Sequence, residues 1–204
     1  MNELSNRLWL GYKDAVNRNR LLLAGLLLAL LGAGAGYWRF YVWRDHSQDA
    51  PILAAARLYG VQPALIKAIV WRESRFNPRA RGGRGEIGLM QVLPKAAAKD
   101  WSDAEKLPEL PPEVLLDPGT NTIVGAWYLE KLLKRYDQTD NPLPYALADY
   151  NAGRGNVLKW KQGAAATNSA AFLAQINFPG TRSYVEEVMR RYEHYASIFP
   201  PKSD

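Results

Sequence analysis

The chain has 204 residues, a formal net charge of +6, no cysteine and two histidines. The lack of cysteine excludes disulfides and thiolate chemistry. His46 and His194 lie too far apart in sequence to show metal-ligand spacing, so we expect neither a metal nor a cofactor. From residue 47 onward, 20 Lys and Arg stand against 17 Asp and Glu, a net charge of +3. This small surplus does not favour nucleic acid, which we do not expect as a partner.

The N-terminal segment has the character of a membrane anchor. Residues 21–36, LLLAGLLLALLGAGAG, carry no charge and are followed by Tyr37 and Trp38. A membrane-spanning helix needs about 20 apolar residues, and an aromatic pair is typical of the membrane interface. Before the run, two acidic residues are outnumbered by four basic ones: Arg7, Lys13, Arg18 and Arg20. Since Lys and Arg mark the cytoplasmic side, the N-terminus is predicted inside and the remainder outside, in a Gram-negative cell the periplasm.

The predicted order is a cytoplasmic basic tail (1–20), a transmembrane signal anchor (21–38), a tether (39–50) and one exported domain (51–201). The localisation predicted is therefore the inner membrane, single-pass. A cleaved signal peptide is the alternative, because Ala33-Gly34-Ala35 would suit a signal peptidase. Both interpretations export the rest of the chain.

From Pro51 on, the apolar spacing is helical rather than alternating, which predicts a mainly α domain. The predicted helices are 51–59, 63–76, a short one from Pro94, 118–136, 143–151, 155–161 and 182–198 after a Thr181 cap. A loop rich in glycine and arginine covers 79–88, and the proline-rich stretch 102–117 is predicted to be irregular.

Glu73 is a carboxylate in the middle of an apolar helix. At 100° per residue, Ile66, Ile69, Val70 and Phe76 all fall within about 60° of it. Apolar surroundings disfavour an ionised carboxylate and raise its pKa, and a carboxyl that stays protonated near neutrality is what a general acid requires. The alternative is a buried glutamate satisfied by a salt bridge to a neighbouring arginine.

Several motifs occur in a characteristic order. They are Glu73-Ser74 with Phe76-Asn77-Pro78, GLMQ at 88–91 with Pro94, the stretch 121–129 with Asn121, Ile123, Gly125, Tyr128 and Leu129, ALADYNAG at 146–153, and Thr181-Arg182-Ser183-Tyr184-Val185. Together they resemble the lytic transglycosylase family with a soluble-lytic-transglycosylase (SLT) domain, over about residues 50–200. The resemblance implies a lysozyme-like α domain, here preceded by one transmembrane helix.

The resemblance also implies a reaction. The expected substrate is peptidoglycan, cut at the β-1,4 bond between N-acetylmuramic acid (MurNAc) and N-acetylglucosamine (GlcNAc). Glu73 would protonate the leaving oxygen and then act as base on the C6 hydroxyl of the same muramoyl sugar, giving 1,6-anhydro-MurNAc. One carboxylate would suffice with help from the substrate acetamido group, unlike in the usual two-carboxylate glycosidase.

By the same resemblance, substrate contacts are expected around Glu73. Gly88 would let the backbone approach a sugar, and Gln91 would offer an amide. Leu89 and Met90 would line a subsite or be ordinary core. Tyr150 and Asn151 are expected in the site, Asn151 having a helix-end alternative. Tyr184 is expected near the catalytic glutamate, with core packing as the alternative. Ser74 is expected to orient Glu73, with a position on the helix surface as the alternative.

The chain departs from the family pattern at two places. The loop 79–87 contains no serine, which the family usually carries there, and it holds Glu86 instead of a small residue. Glu86 is predicted to pair with Arg81 or Arg84; as a second carboxylate placing water, it would make the protein a hydrolysing muramidase. Asp149 replaces the alanine of ALAAYN and is expected to face solvent.

The arginines of this region are predicted to form a solvated rim, with contacts to acidic stem peptides as the alternative: Arg72, Arg75, Arg79, Arg81 and Arg84. The partners expected are the peptidoglycan glycan strands and the inner membrane. A tethered domain suggests local trimming, for which a secretion or conjugation apparatus is a plausible partner. A glycan-binding scaffold without activity is the alternative outside enzymes, although the intact motifs argue against it.

Overall fold

The computed structural model describes residues 3–199, without the side chains of residues 4–6, 11–12 and 14–18. The predicted domain end at 201 and the tail side chains of Asp14 and Arg18 lie outside this description. The chain divides into two compact units, Met1–His46 and Ser47–Asp204.

The first unit is a single helix, α1 (Glu3–His46). It includes the predicted anchor 21–38 and continues through part of the range predicted as tether. The described leucines of this helix are exposed, as are Tyr37 and Trp38, so its described side chains form an apolar surface and not a core. Within the described residues, one helical stretch is long and apolar enough to cross a membrane, judged by length and composition.

The second unit is helical, which confirms the mainly α prediction. Its helices are α2 (Asp49–Tyr59), α3 (Pro63–Ser74), α4 (Lys99–Ala104), α5 (Pro118–Arg135), α6 (Pro142–Ala152), α7 (Arg154–Trp160), α8 (Ser169–Gln175) and α9 (Pro179–Ile198). A short π-helix covers Pro94–Ala98, and short 3₁₀-helices cover Pro112–Leu116 and Gly163–Ala166. Among residues 3–199, extended pairing is limited to two isolated bridges, Arg81 with Ile87 and Ile87 with Val92.

Helix α3 is the centre of this unit. Every residue from Ala64 to Trp71 is buried, because α3 packs against α9 on one side and α2 on another. Helix α5 packs on α2 and α6, and α6 in turn packs on α9. Helix α3 therefore packs on α9, which also contacts α6, and both of these helices come much later in the chain.

The burial of Lys67 shows that the helical periodicity of the sequence predicted the buried face of α3 incompletely. Lys67 lies away from the apolar stripe in the pattern, yet it is fully buried. Its Nζ lies 2.7 Å from Asp49 Oδ1 and 4.3 Å from the centroid of the Phe199 ring. The ion pair and the aromatic ring offset the cost of removing the ammonium from water.

Three predicted helix boundaries were wrong by two or more residues. Helix α2 begins at Asp49 instead of Pro51. Helix α3 ends at Ser74 instead of Phe76, because Arg75 and Phe76 adopt left-handed backbone angles, with φ of 51° and 62°. Helix α9 begins at Pro179, so Thr181 lies within its first turn and is no cap. Helix α8 was not predicted from the sequence at all; Asn168 caps it by accepting from the Ala171 N–H at 2.8 Å.

Candidate active site

Glu73 is the penultimate residue of α3 and reaches the surface of a cleft. It is only partly exposed, and its Oε1 accepts a 2.7 Å hydrogen bond from the Tyr184 hydroxyl of α9. Burial raises the pKa of the Glu73 carboxyl to about 7, against the opposing effect of the Tyr184 hydrogen bond. The carboxyl can therefore hold or release a proton near neutral pH.

The arginine beside Glu73 is engaged elsewhere. Arg72 Nε lies 2.7 Å from Glu187 Oε2, and Arg75 forms a longer pair with the same carboxylate at 4.0 Å. The salt-bridge alternative for Glu73 is thus not the arrangement found, and these two arginines face α9. Arg84, another of the predicted rim, lies in the cleft.

Two adjoining cavities make up the cleft. The first, of about 170 Å³, is lined by Glu73, Gly82, Gly83, Arg84, Glu86, Gln91, Leu93, Tyr150 and Asn151. The second, of about 270 Å³, shares Arg84, Gln91, Leu93, Tyr150 and Asn151 with it and extends along α6. The fold thus brings Glu73, Gln91, Tyr150 and Asn151 together around one space.

The loop 88–91 contributes one side chain to the cleft. Leu89 and Met90 are fully buried, and neither side chain lines a cavity. Of the two expectations for these side chains, ordinary core is therefore the one observed. Gln91 lines both cavities in a left-handed conformation, with φ of 48°. Its Nε2 donates to the Gly88 carbonyl at 2.9 Å, which orients the amide.

The reason for a glycine at position 88 differs from the expected approach of a sugar. Its φ is +79°, and an added Cβ would collide with the Asn121 side chain and the Leu115 carbonyl. The close approach is therefore made by Asn121, inside the protein, and the space beside the Gly88 α-carbon is not open to a sugar.

Asn121 of α5 holds this loop from behind, a role that the sequence did not reveal. Its Oδ1 accepts from the Met90 N–H at 2.8 Å, and its Nδ2 donates to the Ile87 and Leu115 carbonyls, each at 2.8 Å. The side chain is fully buried with its donors and acceptor used. The signals in the sequence were its place in the 121–129 motif and a polar residue on the buried face of a helix.

Helix α6 supplies the opposite wall. The Tyr150 hydroxyl donates a 2.7 Å hydrogen bond to the Met90 carbonyl, so Tyr150 ties α6 to the 88–91 loop. Asn151 Oδ1 accepts from the Thr181 hydroxyl at 2.9 Å, which ties α6 to α9. Both residues line the two cavities and also brace them.

Ser74 follows Glu73 but lies on the buried side of the helix. Its hydroxyl donates to the Val70 carbonyl of its own helix at 3.0 Å. The hydrogen bond is thus made within α3, and Ser74 does not line either cavity. Its contribution is to the end of the helix that carries Glu73.

Glu86 pairs with Arg84, as predicted for one of its two candidate arginines. Arg84 Nε lies 2.8 Å from Glu86 Oε1, and the Arg84 backbone N–H donates to Oε2 at 2.9 Å. Partial burial raises the pKa of the Glu86 carboxyl, but hydrogen bonds from its own and the Arg84 backbone and from the guanidinium outweigh burial and lower it. Both oxygens are engaged by Arg84.

The expectation that Asp149 faces solvent was wrong. Asp149 is 2% exposed, and its Oδ2 accepts hydrogen bonds from Arg135 Nη1 and the Tyr136 hydroxyl, both at 2.6 Å. The cause lies at the end of α5, where the last helical residue, Arg135, and the following Tyr136 supply a cation and a hydroxyl to α6. A carboxylate so paired is tolerated inside the protein.

The fold agrees with the comparisons to known proteins. The family model described as "Transglycosylase SLT domain" matches residues 50–194. The chain therefore belongs to the transglycosylase SLT domain family. The lysozyme-like fold expected from the resemblance is confirmed by the solved structures of this family.

Two relatives and two structures illustrate the similarity. The soluble lytic murein transglycosylase of Escherichia coli K12 is 36% identical over 137 residues, 65% of this chain and 20% of that protein. The membrane-bound lytic murein transglycosylase C of Shigella sonnei is 39% identical over 121 residues, 57% of this chain and 34% of that protein. An inactive mutant of lytic transglycosylase Slt from Pseudomonas aeruginosa superimposes with a TM-score of 0.67 at 29% identity, covering 76% of this chain and 24% of that one. The 70 kDa soluble lytic transglycosylase of Escherichia coli superimposes with a TM-score of 0.61 at 31% identity, covering 69% of this chain and 22% of that one.

Proposed function

We propose that this chain is a peptidoglycan lytic transglycosylase that cleaves the MurNAc–GlcNAc β-1,4 bond and forms 1,6-anhydro-MurNAc. The relatives bear the name of this activity, and the chain spans a fifth to a third of their length, from 20% to 34%. The observation that carries the proposal is Glu73, a cleft carboxyl with a pKa of about 7 and a tyrosine hydroxyl on its Oε1.

In the first step, protonated Glu73 gives its proton to the oxygen that links MurNAc C1 to GlcNAc C4. The C1–O bond breaks, and GlcNAc leaves with a free 4-hydroxyl. A general acid with a pKa near the working pH is efficient because it is still protonated and yet transfers its proton readily. The substrate acetamido oxygen stabilises the positive charge that develops at C1, so a second protein carboxylate is not required.

In the second step, Glu73 is a carboxylate and takes the proton of the muramoyl C6 hydroxyl. The freed oxygen bonds to C1 of the same sugar, which closes the 1,6-anhydro ring and returns Glu73 to its protonated form. No water is consumed. The Tyr184 hydroxyl, which donates to Glu73 Oε1, stabilises the carboxylate between the two steps.

The proposed substrate contacts follow from the cleft lining. Gln91 and Asn151 offer amides and Tyr150 offers an aromatic edge, all within the two cavities that adjoin Glu73. Amide donors and acceptors suit the acetamido and hydroxyl groups of a glycan. Leu89, Met90 and Gly88 support this wall through their backbone and the core, and Ser74 supports the end of α3.

The test is mass analysis of the fragments released from purified peptidoglycan by the full chain in detergent, beside Glu73→Gln. Products ending in 1,6-anhydro-MurNAc, absent with the variant, are expected. The exposed Glu113→Gln variant serves as control and should release the same products as the unmodified chain. Equal release by Glu73→Gln would contradict the assignment of Glu73.

Two alternatives predict other products. A muramidase would release reducing MurNAc ends, with Glu86 placing the water; Glu86 lines the same cavity as Glu73, but Arg84 engages both of its oxygens. A glycan-binding scaffold would retain glycan strands and release nothing. The product spectrum separates these functions in one experiment.

For the location, we propose a single-pass inner-membrane protein with α1 as an uncleaved anchor, its N-terminus in the cytoplasm and residues 47–204 in the periplasm. The apolar length of the helix and the membrane-bound relative support membrane association. Such an anchor would restrict cleavage to wall near the membrane, where a secretion or conjugation apparatus needs a gap. Crosslinking in cells would identify such a partner.

A further inference from the structure

We propose that Arg84 is a specificity residue that binds a carboxylate carried by the muramoyl sugar, and that Glu86 occupies its guanidinium until the substrate arrives. The proposal rests on the proposed function, since it concerns the same cleft. It names the chemical feature that distinguishes the preferred glycan from an uncharged polymer of N-acetylglucosamine.

The position of Arg84 is the first argument. Arg84 lines both cavities, so its side chain stands where the two compartments meet. Among the described residues that line them, it is the one cation. The other charged groups there are carboxylates: Glu73, Glu86 and Asp149. Asp149 is already paired with Arg135, and Glu86 is paired with Arg84 itself. Arg84 is thus the lining side chain that can attract an anionic group on a bound glycan.

The second argument is the state of the guanidinium. Its Nε bonds Glu86 Oε1 at 2.8 Å, while the Arg84 side chain remains 73% exposed and that of Glu86 only 12%. A guanidinium has five N–H donors and binds a carboxylate best through two of them. A single bond to Glu86 thus leaves most of the binding capacity of Arg84 directed at solvent and the cleft.

The third argument is the loop that carries the pair. Gly83, Arg84 and Gly85 are exposed at the tip of a turn, which is closed below by the Gly82 N–H donating to the Glu86 carbonyl at 2.8 Å. Glu86 lies against Gly82, where a Cβ would collide with its carboxylate. Glu86 is therefore held by the base of the turn, whereas the Arg84 side chain can rotate toward a ligand without unfolding the turn.

The chemistry of the proposed substrate supplies the anion. Each MurNAc carries a lactyl carboxyl, which is a free carboxylate in peptide-free strands and is amide-linked to a stem peptide with its own carboxylates elsewhere. Both sources offer the planar group that arginine binds. N-acetylglucosamine has no carboxylate, so a chitooligosaccharide of equal length is the uncharged reference.

The test measures dissociation constants by isothermal titration calorimetry, with the full chain in detergent and Glu73→Gln present throughout to prevent turnover. Three ligands are compared: peptide-free MurNAc-GlcNAc oligosaccharides, the same with stem peptides, and chitooligosaccharides. Arg84→Gln should weaken a carboxylate-bearing ligand about tenfold and leave chitooligosaccharide binding unchanged. The ligand that loses affinity identifies whether the lactyl or the peptide carboxylate is bound.

Glu86→Gln distinguishes recognition from a merely structural role. Removing the internal competitor should keep or strengthen the binding of the carboxylate-bearing ligand, whereas a pair that only holds the loop would weaken all three ligands in both variants. Arg79→Gln, at an exposed arginine outside both cavities, is the matched control and should change nothing. Equal binding by Arg84→Gln, uniform weakening, or no binding of muramoyl ligands would overturn the proposal; lack of anhydro products from the unmodified chain would instead overturn the proposed function.

Discussion

The Tyr184 hydroxyl donates a 2.7 Å hydrogen bond to Glu73 Oε1 across 111 positions of sequence. Burial raises the pKa of Tyr184 well above its usual value, so the hydroxyl remains a donor throughout the neutral range. Burial also raises the pKa of Glu73, while the hydrogen bond lowers it, and the balance lies at about 7. The burial of Glu73 and its contact with Tyr184 of α9 therefore together set the proton affinity of the site.

Stability should depend on pH through Glu73. Its pKa is about 7 in the folded chain, against an ordinary value of 4.5 in an unfolded one, so the folded state holds the proton more firmly. This contribution is fully present below pH 4.5 and is lost as pH rises through about 7. Relative to Glu73→Gln, the free energy of unfolding should fall by about 2 kcal/mol across that window, allowing for partial exposure. Denaturation of both proteins from about pH 4 to 8 measures it; parallel curves would contradict the raised pKa.

Activity should also have an alkaline limit set by Glu73. The first step needs the protonated carboxyl, so the rate should decrease as pH rises through about 7. Tyr184→Phe removes the hydrogen bond that stabilises the Glu73 carboxylate, so the alkaline limit of activity should move to higher pH. The variant should also lose about tenfold in kcat, with KM little changed, because a charge-assisted hydrogen bond is removed. Tyr192→Phe on the same helix is the control; a Tyr184→Phe profile that matches it would refute the coupling.

Gly88 and Gly83 should respond differently to alanine. At Gly88, with φ of +79°, a Cβ would collide with Asn121, whereas at Gly83 nothing lies within 4 Å. Gly88→Ala should lower the free energy of unfolding by about 3 kcal/mol through strain and displacement of Asn121. Gly83→Ala should be nearly neutral. Chemical denaturation of the two variants measures this, and equal stabilities would show that the packing of Asn121 on Gly88 is not as described.

The Asp149–Arg135 pair should be costly to break from one side. Asp149→Ala leaves Arg135 and the Tyr136 hydroxyl without their acceptor, and should lower the free energy of unfolding by about 3 kcal/mol. Adding Arg135→Leu should recover part of the loss, which a double-mutant cycle measures. Asp103→Ala, which breaks the exposed pair with Lys99, should have no measurable effect. A loss at Asp149 as small as that at Asp103 would exclude a buried pair.

The sequence by itself determined the local features of this protein. The 3.6-residue period of apolar residues predicted the helical class and placed Glu73 on a buried stripe, because helix formation depends on neighbours three and four positions away. Proline and glycine positions predicted the start of α5 at Pro118 and the loop at 79–88, because the backbone preferences of these residues are also local. The order of the motifs then indicated the family and four of the residues that line the cleft, Glu73, Gln91, Tyr150 and Asn151.

Only the tertiary structure decided which partners those residues meet. Tyr184 reaches Glu73, Arg135 reaches Asp149 and Asn121 fills the space beside Gly88 because helices distant in sequence pack together. The burial of Leu89, Met90 and Asp149 is likewise decided by what covers them, since the local sequence records the identity of a side chain but not its neighbours in space. Long-range packing and the low dielectric of the interior therefore set the pKa of Glu73, which no local pattern contains.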